Sequence, residues 1–202
     1  MISAEDHARL TGAIREAESH TAGEIVVVVA EQASNYRSIP VVWALLGALL
    51  TPWPLIWITN LSAARIFSVQ LVVAFLLSLF LSWPSRRFSL VPRFIKRTRA
   101  REAAAREFIG RGLTRTRGRT GVLIYVALAE HHAEIIADTG IADRVEARAW
   151  QEIIDALTTA IKNGRISDGL FEAIQRAGAL LAQHAPPQAD DVDELPNKVI
   201  VL

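Results

Sequence analysis

Three aspartates are the residues whose positions best suit ligand chemistry. Asp138 and Asp143 bracket the segment DTGIAD, which directly follows a predicted strand and contains Gly140, a residue suited to a sharp turn. Asp168 begins a later predicted helix and could join them from another loop. Carboxylates of this kind bind hard cations such as Ca²⁺ or Mg²⁺. The simpler alternative is that Asp138 ends a strand while Asp143 and Asp168 cap helices.

Most familiar catalytic motifs are absent from the sequence. It contains no cysteine, which excludes thiol catalysis, disulfides and cysteine-ligated metal centres. It also lacks GxxxxGK[ST], GxSxG, HExxH and a complete GxGxxG. His131 and His132 are adjacent, and neighbours on a strand or turn point apart, so we interpret them as part of a solvated turn.

Two apolar runs predict the strands that would position the aspartates. Glu24–Ala30 contains four consecutive valines, and Gly121–Leu128 is equally apolar, so both strands should be buried on both faces. Ala133–Asp138 should pair antiparallel with the second strand. Helical spacing and capping residues predict four helices: Ala4–His20, Thr98–Leu113, Val145–Asn163 and Ser167–His184. The sequence therefore predicts an α/β fold with a small mixed sheet and helices on its faces.

Two long apolar segments, 39–58 and 66–83, interrupt this pattern. Between residues 39 and 83 Arg65 is the one charge, whereas the rest of the chain holds 42 of the 43 formal charges. Each segment is long enough to cross a bilayer, and four of the five tryptophans fall near the segment ends. We predict a transmembrane hairpin of two helices. The alternative is two buried helices of a soluble core, which would normally keep a polar stripe.

The details of the hairpin depend on a few residues. Pro52 and Pro54 could end the first helix early and leave a re-entrant turn. The short connection 59–65 predicts antiparallel helices in contact, with Ala44, Gly47 and Ala48 permitting close approach. A strand at Glu24–Ala30 could not be stable alone. Residues 1–38 and 84–202 are therefore expected to form one discontinuous domain, with 39–83 inserted as the hairpin.

Charge predicts the orientation of the hairpin. Residues 85–119 contain twelve Arg or Lys against two glutamates, whereas the hairpin turn contains Arg65 alone. By the positive-inside rule, both termini and the α/β domain are cytoplasmic. Residues Met1–Glu24 are polar and give no signal peptide. The basic collar 86–119 could also bind anionic lipid or another polyanion. Nucleic acid is disfavoured because aromatic residues in the collar are few.

Several segments together resemble the TPM-domain family, which is similar to thylakoid-lumen acid-phosphatase-like proteins. These are TAGEIVVVVA, RGLTRTRGRTGVLIYVALAEHHAEIIADTGI, Trp150, DGLFEAI and the tail Asp193–Asn197. The resemblance covers about residues 4–30 and 98–202, and the inserted hairpin resembles a bacterial membrane-anchored branch. It implies an α/β/α sandwich, a bacterial inner-membrane location and, in some relatives, a divalent-cation site with weak activity towards phosphomonoesters. It assigns that cation to Asp138, Asp143 and Asp168.

The leading functional hypothesis is a non-catalytic, membrane-anchored TPM-like domain that acts as an interaction or assembly module. Its partners would be the lipid bilayer, an unidentified membrane or cytoplasmic protein, and a second copy of the chain. One alternative is a divalent-metal-dependent phosphatase acting on phosphomonoesters. The other is binding of anionic lipid or a polyanion through the collar 86–119.

Overall fold

A computed structural model describes residues 3–83, 88–187 and 194–202. Its helices and strands, in chain order, are α1 (Ala4–Glu18), β1 (Glu24–Ala30), α2 (Ser38–Leu50), α3 (Pro52–Ile58), α4 (Ala63–Leu81), α5 (Arg93–Gly110), β2 (Gly121–Ala127), β3 (His132–Ala137), α6 (Thr139–Ala142), α7 (Ala147–Lys162), α8 (Ile166–His184) and β4 (Val199–Val201). They form two compact units, an α/β unit (Met1–Ala33 with Arg97–Leu202) and a hairpin unit (Ser34–Lys96).

The α/β unit is built on a four-stranded mixed sheet with the order β3-β2-β1-β4. β1 is parallel to β2 over its whole length, with Glu24 opposite Gly121 and Ala30 opposite Ala127. β2 is antiparallel to β3, and β4 is parallel to β1. The predicted pairing of β1 with strands beyond residue 120 is confirmed, as is the mixed-sheet α/β fold.

Both faces of the sheet are covered, as the unbroken valine run predicted. Val27 and Val29 face a core formed with α1, α7 and α8, whereas Val26 and Val28 face a second core that includes α5. All seven residues of β1 and of β2 are buried. Successive side chains of a strand point to opposite faces, so a strand buried on both faces is apolar at nearly every position; in β1 the exception is Glu24, the first residue.

The boundaries of several elements differ from the sequence prediction. β4 was not predicted, because three residues are too few to show alternation and its stability comes from pairing with β1. α5 begins at Arg93 rather than Thr98, just after Pro92, which suits a helix start because it needs no backbone N–H there. α6 was also not predicted. It is a single turn started by the side chain of Asp138, too short for any periodicity to reveal.

The hairpin unit contains α2, α3 and α4. Ala44 and Ala48 are buried, and a Cβ on Gly47 would lie 3.1 Å from Leu77 of α4, so the small residues allow close approach as predicted. Further along, Pro52 and Ile56 line a hollow with Gln70 and other residues of α4. α2 and α4 therefore run antiparallel.

The prolines interrupt the first helix without ending it. Thr51, between α2 and α3, keeps right-handed helical dihedral angles, and the helical path continues to Ile58. Ser38–Ile58 and Ala63–Leu81 contain 21 and 19 residues, and both are long and apolar enough to cross a membrane. Little of either helix is buried, as the outward-facing Leu50, Trp57 and Phe75 illustrate with exposed fractions of 68%, 84% and 69%.

The contact between α1 and α8 provides a stability test with a matched control. A Cβ on Gly178 of α8 would lie 2.6 Å from the Cβ of Ala17, whereas a Cβ on Gly12 of α1 would meet no atom within 4 Å. Both glycines are inside helices, so alanine brings the same gain in helix propensity, about 0.5–1 kcal/mol. We expect Gly12→Ala to raise the free energy of unfolding by that amount. Gly178→Ala should lower it by about 1–3 kcal/mol through overpacking.

Chemical denaturation of the detergent-purified protein, followed by far-UV circular dichroism, measures both changes. Equal stabilisation by the two substitutions would contradict the close packing of α1 on α8.

Candidate functional site

Asp138 lies where β3 ends and α6 begins, and it is 6% exposed. Its Oδ1 accepts a hydrogen bond of 2.7 Å from the backbone N–H of Thr139, which caps α6. Its own N–H donates to the carbonyl of Gly121 at 2.9 Å, tying the turn to the start of β2. Among the residues that the structure describes, Oδ2 has no hydrogen-bond partner although it is buried. A buried carboxylate oxygen without a partner is uncommon in folded proteins.

The other two predicted ligands occupy different surroundings. Asp143 is exposed at the C-terminal end of α6. Asp168 lies in the first turn of α8, where its Oδ1 is 3.0 Å from Nη1 of Arg9, and the Arg9 guanidinium also stacks 4.5 Å from the Phe171 ring. Within the described ranges, no three His, Asp or Glu side chains are close enough to hold one metal ion. The three aspartates are therefore not brought together, and cation binding by these residues stays a prediction.

A loop of the α/β unit packs tightly against the segment that contains Asp138. A Cβ on Gly140 would overlap the carbonyl oxygen of Gly118 and lie 2.6 Å from that of Arg119. Glycine is thus required at position 140 by close backbone approach and not by a positive φ. The contact places the arginine-rich loop before β2 beside the aspartate segment, a proximity that the sequence did not reveal.

A second polar group, on β3, was also missed by sequence reasoning. His132 Nε2 and Glu134 Oε2 are 2.9 Å apart, and the guanidinium of Arg101 approaches the other carboxylate oxygen at 3.6 Å. His132 pairs with Glu134 because alternate residues of a strand share a face. The sequence feature that could have revealed this pair is the spacing of two residues between His132 and Glu134 on one strand. The adjacent pair His131-His132 is less informative, because His131 lies in the turn with a φ of 48°.

The carboxyl of Glu134 has a lowered pKa. Burial acts to raise it, but the hydrogen bond and charge of His132, together with the charge of Arg101, outweigh the burial and favour the carboxylate.

Tyr125 lies opposite Glu134 in the β2–β3 register and is 1% exposed. Its pKa is raised to about 12 by burial and by the nearby charges of Glu130 and Glu107. The phenol therefore stays protonated at neutral pH and offers no nucleophile.

The described basic residues of the collar 86–119 lie along α5 and in the loop that follows it. Arg86 and Arg87 lie outside the described residues. Arg97 and Arg99 are exposed near the beginning of α5, an 18-residue helix about 27 Å long. Arg115 and Arg119 are exposed in the loop that follows the other end of α5. Arg101 and Arg106 are exposed between these two ends, so the described basic residues are spread along the helix and the loop after it.

These features define an α/β domain with helices on both faces of a mixed sheet, a buried carboxylate at the end of β3, and an inserted apolar helical hairpin. The sequence model of the TPM domain family matches residues 87–180, which span α5 to most of α8. The chain therefore contains a segment that matches the TPM domain family.

One solved structure supports the fold. The NMR structure of the BA42 protein from the psychrophilic bacterium Bizionia argentinensis aligns with a TM-score of 0.62 and 23% identity. The alignment covers 100% of this chain and 96% of BA42. At this identity the likeness shows the fold alone. Comparison with curated proteins gives no match.

The lowered pKa of Glu134 predicts a pH-dependent contribution to stability. The ordinary pKa of the carboxyl is 4.5, and in the folded protein it is lower. The carboxylate therefore stabilises the fold above pH 4.5, and this contribution is lost as the pH falls towards the folded pKa. We expect the stability advantage of the native chain over Glu134→Gln to shrink as the pH falls below 4.5. Denaturant titrations at a series of pH values measure the difference.

Glu146→Gln is the matched control, because Glu146 is exposed and makes no capping hydrogen bond with its side chain. A stability difference for Glu134→Gln that stays constant down to pH 3 would contradict the role assigned to His132 and Arg101.

Proposed function

We propose that this chain is a membrane-anchored TPM domain that acts as an interaction or assembly module and not as a catalyst. The observation that carries the proposal is the apolar outer surface of the hairpin unit. Large hydrophobic side chains on α2, α3 and α4 point outward, among them Leu50, Trp53, Trp57, Phe75 and Leu79, each more than 60% exposed. A continuous apolar surface of this kind requires lipid or protein to cover it.

The dimensions of the hairpin favour lipid as the cover. Helices of 21 and 19 residues are about 30 Å long, which equals the thickness of the hydrocarbon core. A buried core helix of a soluble protein would have most of its surface covered by other elements, whereas both of these helices are largely exposed. Arg65, the only charge between residues 39 and 83, lies in the first turn of α4, at the end of a span where a charge is tolerated.

The charges beside the spans support a cytoplasmic α/β unit at a bacterial inner membrane. Arg37 precedes α2, and the segment after α4 contains Arg93, Lys96 and Arg97, as well as Arg86 and Arg87, which precede α5 in the sequence. The connection between the two spans, residues 59–62, contains no charge, and Arg65 lies just after it in the first turn of α4. By the positive-inside rule this connection faces outward, and both termini face the cytoplasm. The basic residues near the spans would also attract anionic headgroups, at about 1 kcal/mol per charge.

The polar groups of the α/β unit support a binding role more than a catalytic one. Asp168 is engaged by Arg9, and Tyr125 stays protonated. In the part of the chain that the structure describes, the predicted cation ligands are not assembled into one cluster. The module's partner would be another membrane or cytoplasmic protein, or a second copy of the chain.

Cysteine labelling tests the membrane topology directly, because the native chain contains no cysteine. Ser62, before α4, and Asn163, after α7, are both exposed and lie in different units. In intact spheroplasts we expect a membrane-impermeant maleimide to label Ser62→Cys. Asn163→Cys should react only after lysis.

The cysteine-free native chain gives the background for this experiment. Labelling of Asn163→Cys in intact spheroplasts at the rate of Ser62→Cys would overturn the cytoplasmic orientation. Release of the protein from membranes by alkaline carbonate would overturn the membrane anchor itself.

A divalent cation bound by Asp138 is a second candidate function, favoured by the buried Oδ2 that has no partner among the described residues. The backbone carbonyls of Gly118 and Arg119 lie beside the same segment, and oxygen ligands of this kind suit Ca²⁺ and Mg²⁺. If a bound cation activated water, this site would be where phosphomonoester hydrolysis occurs.

Isothermal titration of the detergent-purified protein with CaCl₂ or MgCl₂ tests this candidate. Asp138→Asn keeps a side-chain oxygen that can cap α6 but removes the negative charge. If Asp138 binds the cation, this variant should bind Ca²⁺ or Mg²⁺ at least about tenfold more weakly, because a charged ligand is lost. Asp155→Asn, on the exposed side of α7, is the control. The absence of cation binding by the native chain would remove this candidate. Cation-dependent phosphomonoester hydrolysis that Asp138→Asn abolishes would instead overturn the non-catalytic proposal.

A further inference from the structure

β3 forms one edge of the sheet, and half of its backbone polar groups point away from the other strands. The N–H of Asp138 donates to the carbonyl of Gly121, and hydrogen-bonded pairs alternate along an antiparallel ladder. The even-numbered residues of β3 therefore turn their N–H and C=O groups towards β2. The odd-numbered residues, Ala133, Ile135 and Ala137, form the free edge of β3. Within the described ranges, their N–H and C=O groups make no hydrogen bond.

The opposite edge of the sheet is protected, whereas the free edge of β3 is not. β4 has three residues, and the carbonyl of Val199 accepts a hydrogen bond of 2.8 Å from Nε2 of His7 on α1. Proteins commonly protect sheet edges with short strands, lysine, proline or a covering element. β3 has six residues, and its sequence HAEIIA contains neither lysine nor proline. The free edge of β3 is therefore a template on which another strand can pair.

β3 is complementary to itself in one antiparallel register. With a two-fold axis at the centre of the strand, the directly opposed residues of two copies are Ile135 with Ile135, Ala133 with Ala137, Glu134 with Ile136, and His132 with Asp138. The pairs that exchange hydrogen bonds are then all apolar, and His132, when protonated, faces an opposite charge. This register pairs the whole free edge.

Other antiparallel registers are disfavoured by charge or by geometry. A shift of one residue would place the groups of the free edge opposite groups that already bond to β2. A shift of two residues places Glu134 directly opposite a carboxylate, either Glu134 or Asp138 of the second copy. Like charges that face each other directly across two strands are destabilising. The sequence of β3 thus selects the register centred on Ile135.

The charge of Glu134 is already balanced within each copy. In the selected register the two Glu134 side chains are diagonal neighbours, about 7–8 Å apart. Each carboxylate has His132 Nε2 at 2.9 Å and a guanidinium nitrogen of Arg101 at 3.6 Å. These local partners lower the repulsion between the two carboxylates, so β3 can approach a second β3.

We propose that β3 pairs antiparallel with β3 of a second copy, which joins two four-stranded sheets into one continuous sheet with a two-fold axis at Ile135. Such an interface is isologous, the commonest kind in homodimers. The inference rests on the proposed interaction module and names its surface and its partner. Under that proposal both copies are anchored in one membrane, which raises their effective concentration, so a small interface suffices.

Disulfide trapping tests the pairing and its register, because the native chain contains no cysteine. Opposed residues of a hydrogen-bonded antiparallel pair have Cα atoms about 5.5 Å apart, a separation that a disulfide spans. In membranes treated with copper phenanthroline, Ile135→Cys should therefore form a crosslinked dimer. Ala137→Cys is the matched control on the same edge. Its counterpart in the second copy lies about 14 Å away along the strand, too far for a disulfide.

Asn163→Cys, exposed after α7, measures crosslinking by random collision. Alkylation under reducing conditions compares the accessibility of the three thiols and normalises the yields. We expect a crosslinked dimer from Ile135→Cys and its loss in both controls. Equal yields at the three positions, or no dimer from Ile135→Cys, would overturn the pairing. A crosslink from position 135 to a different protein would assign the free edge of β3 to another partner and overturn the second copy.

Proline at the centre of the free edge tests the hydrogen bonds themselves. Ile135→Pro removes an N–H that faces away from the sheet, a place where an edge strand accepts proline. By symmetry two hydrogen bonds are lost, so the dissociation constant of the dimer should rise by about tenfold or more. Analytical ultracentrifugation of the full-length protein in neutral detergent measures the change, with far-UV circular dichroism as the check on folding. Ile135→Val keeps the N–H and should dimerise as the native chain does.

Failure of this inference is distinguishable from failure of the proposed function. Native chains that are monomeric, yet stay in the membrane after alkaline carbonate treatment, would overturn the pairing of β3 and leave the membrane-anchored module standing. Release by carbonate would overturn the anchor whatever the crosslinking result. An affinity for the second copy that Ile135→Pro leaves unchanged would show that the copies associate through a different surface, which also overturns the inference.

Discussion

The parallel pairing of β1 with β2 is the contact on which the rest of the molecule depends. These two strands are buried at all seven positions, and each contributes side chains to both cores. Glu24 pairs with Gly121, so the hairpin unit and most of α5 lie between the partners along the chain. Closing so long a connection costs little more free energy than closing a short one, because the entropic cost of bringing its ends together rises only with the logarithm of its length. The burial of two apolar strands on both faces offsets that cost.

This pairing also gives the two ends of the sheet different surroundings. At the end where β1 and β2 begin, the structure gathers the arginine-rich loop, Glu24, Glu194 and the segment after β3. At the other end of β1 the chain departs for the apolar hairpin.

The environment of each carboxylate depends on residues that are close to it in the fold and not in the sequence. Asp168 lies on α8, yet its partner Arg9 lies on α1, more than 150 residues earlier in the chain. Glu134 is stabilised as an anion by His132 on its own strand and by Arg101 on α5. Asp138 retains a buried oxygen with no partner in the described part of the chain, which separates it from the two other aspartates that the sequence grouped with it. The spacing of the three in the sequence could not distinguish among these roles.

The sequence by itself determined the features that depend on local pattern. Runs of β-branched residues predicted β1, β2 and β3, and near-total absence of charge predicted the two long apolar helices. The resemblance to TPM domains also followed from the sequence, as the family match confirms. Only the tertiary structure decided that Val199–Val201 is a fourth strand, that Arg9 engages Asp168 and that Glu194 occupies the loop at Arg117. The spacing of apolar residues in the sequence indicates which side of a helix or strand is buried. Hydrogen bonds and ion pairs between distant residues depend instead on which elements the folded chain brings together.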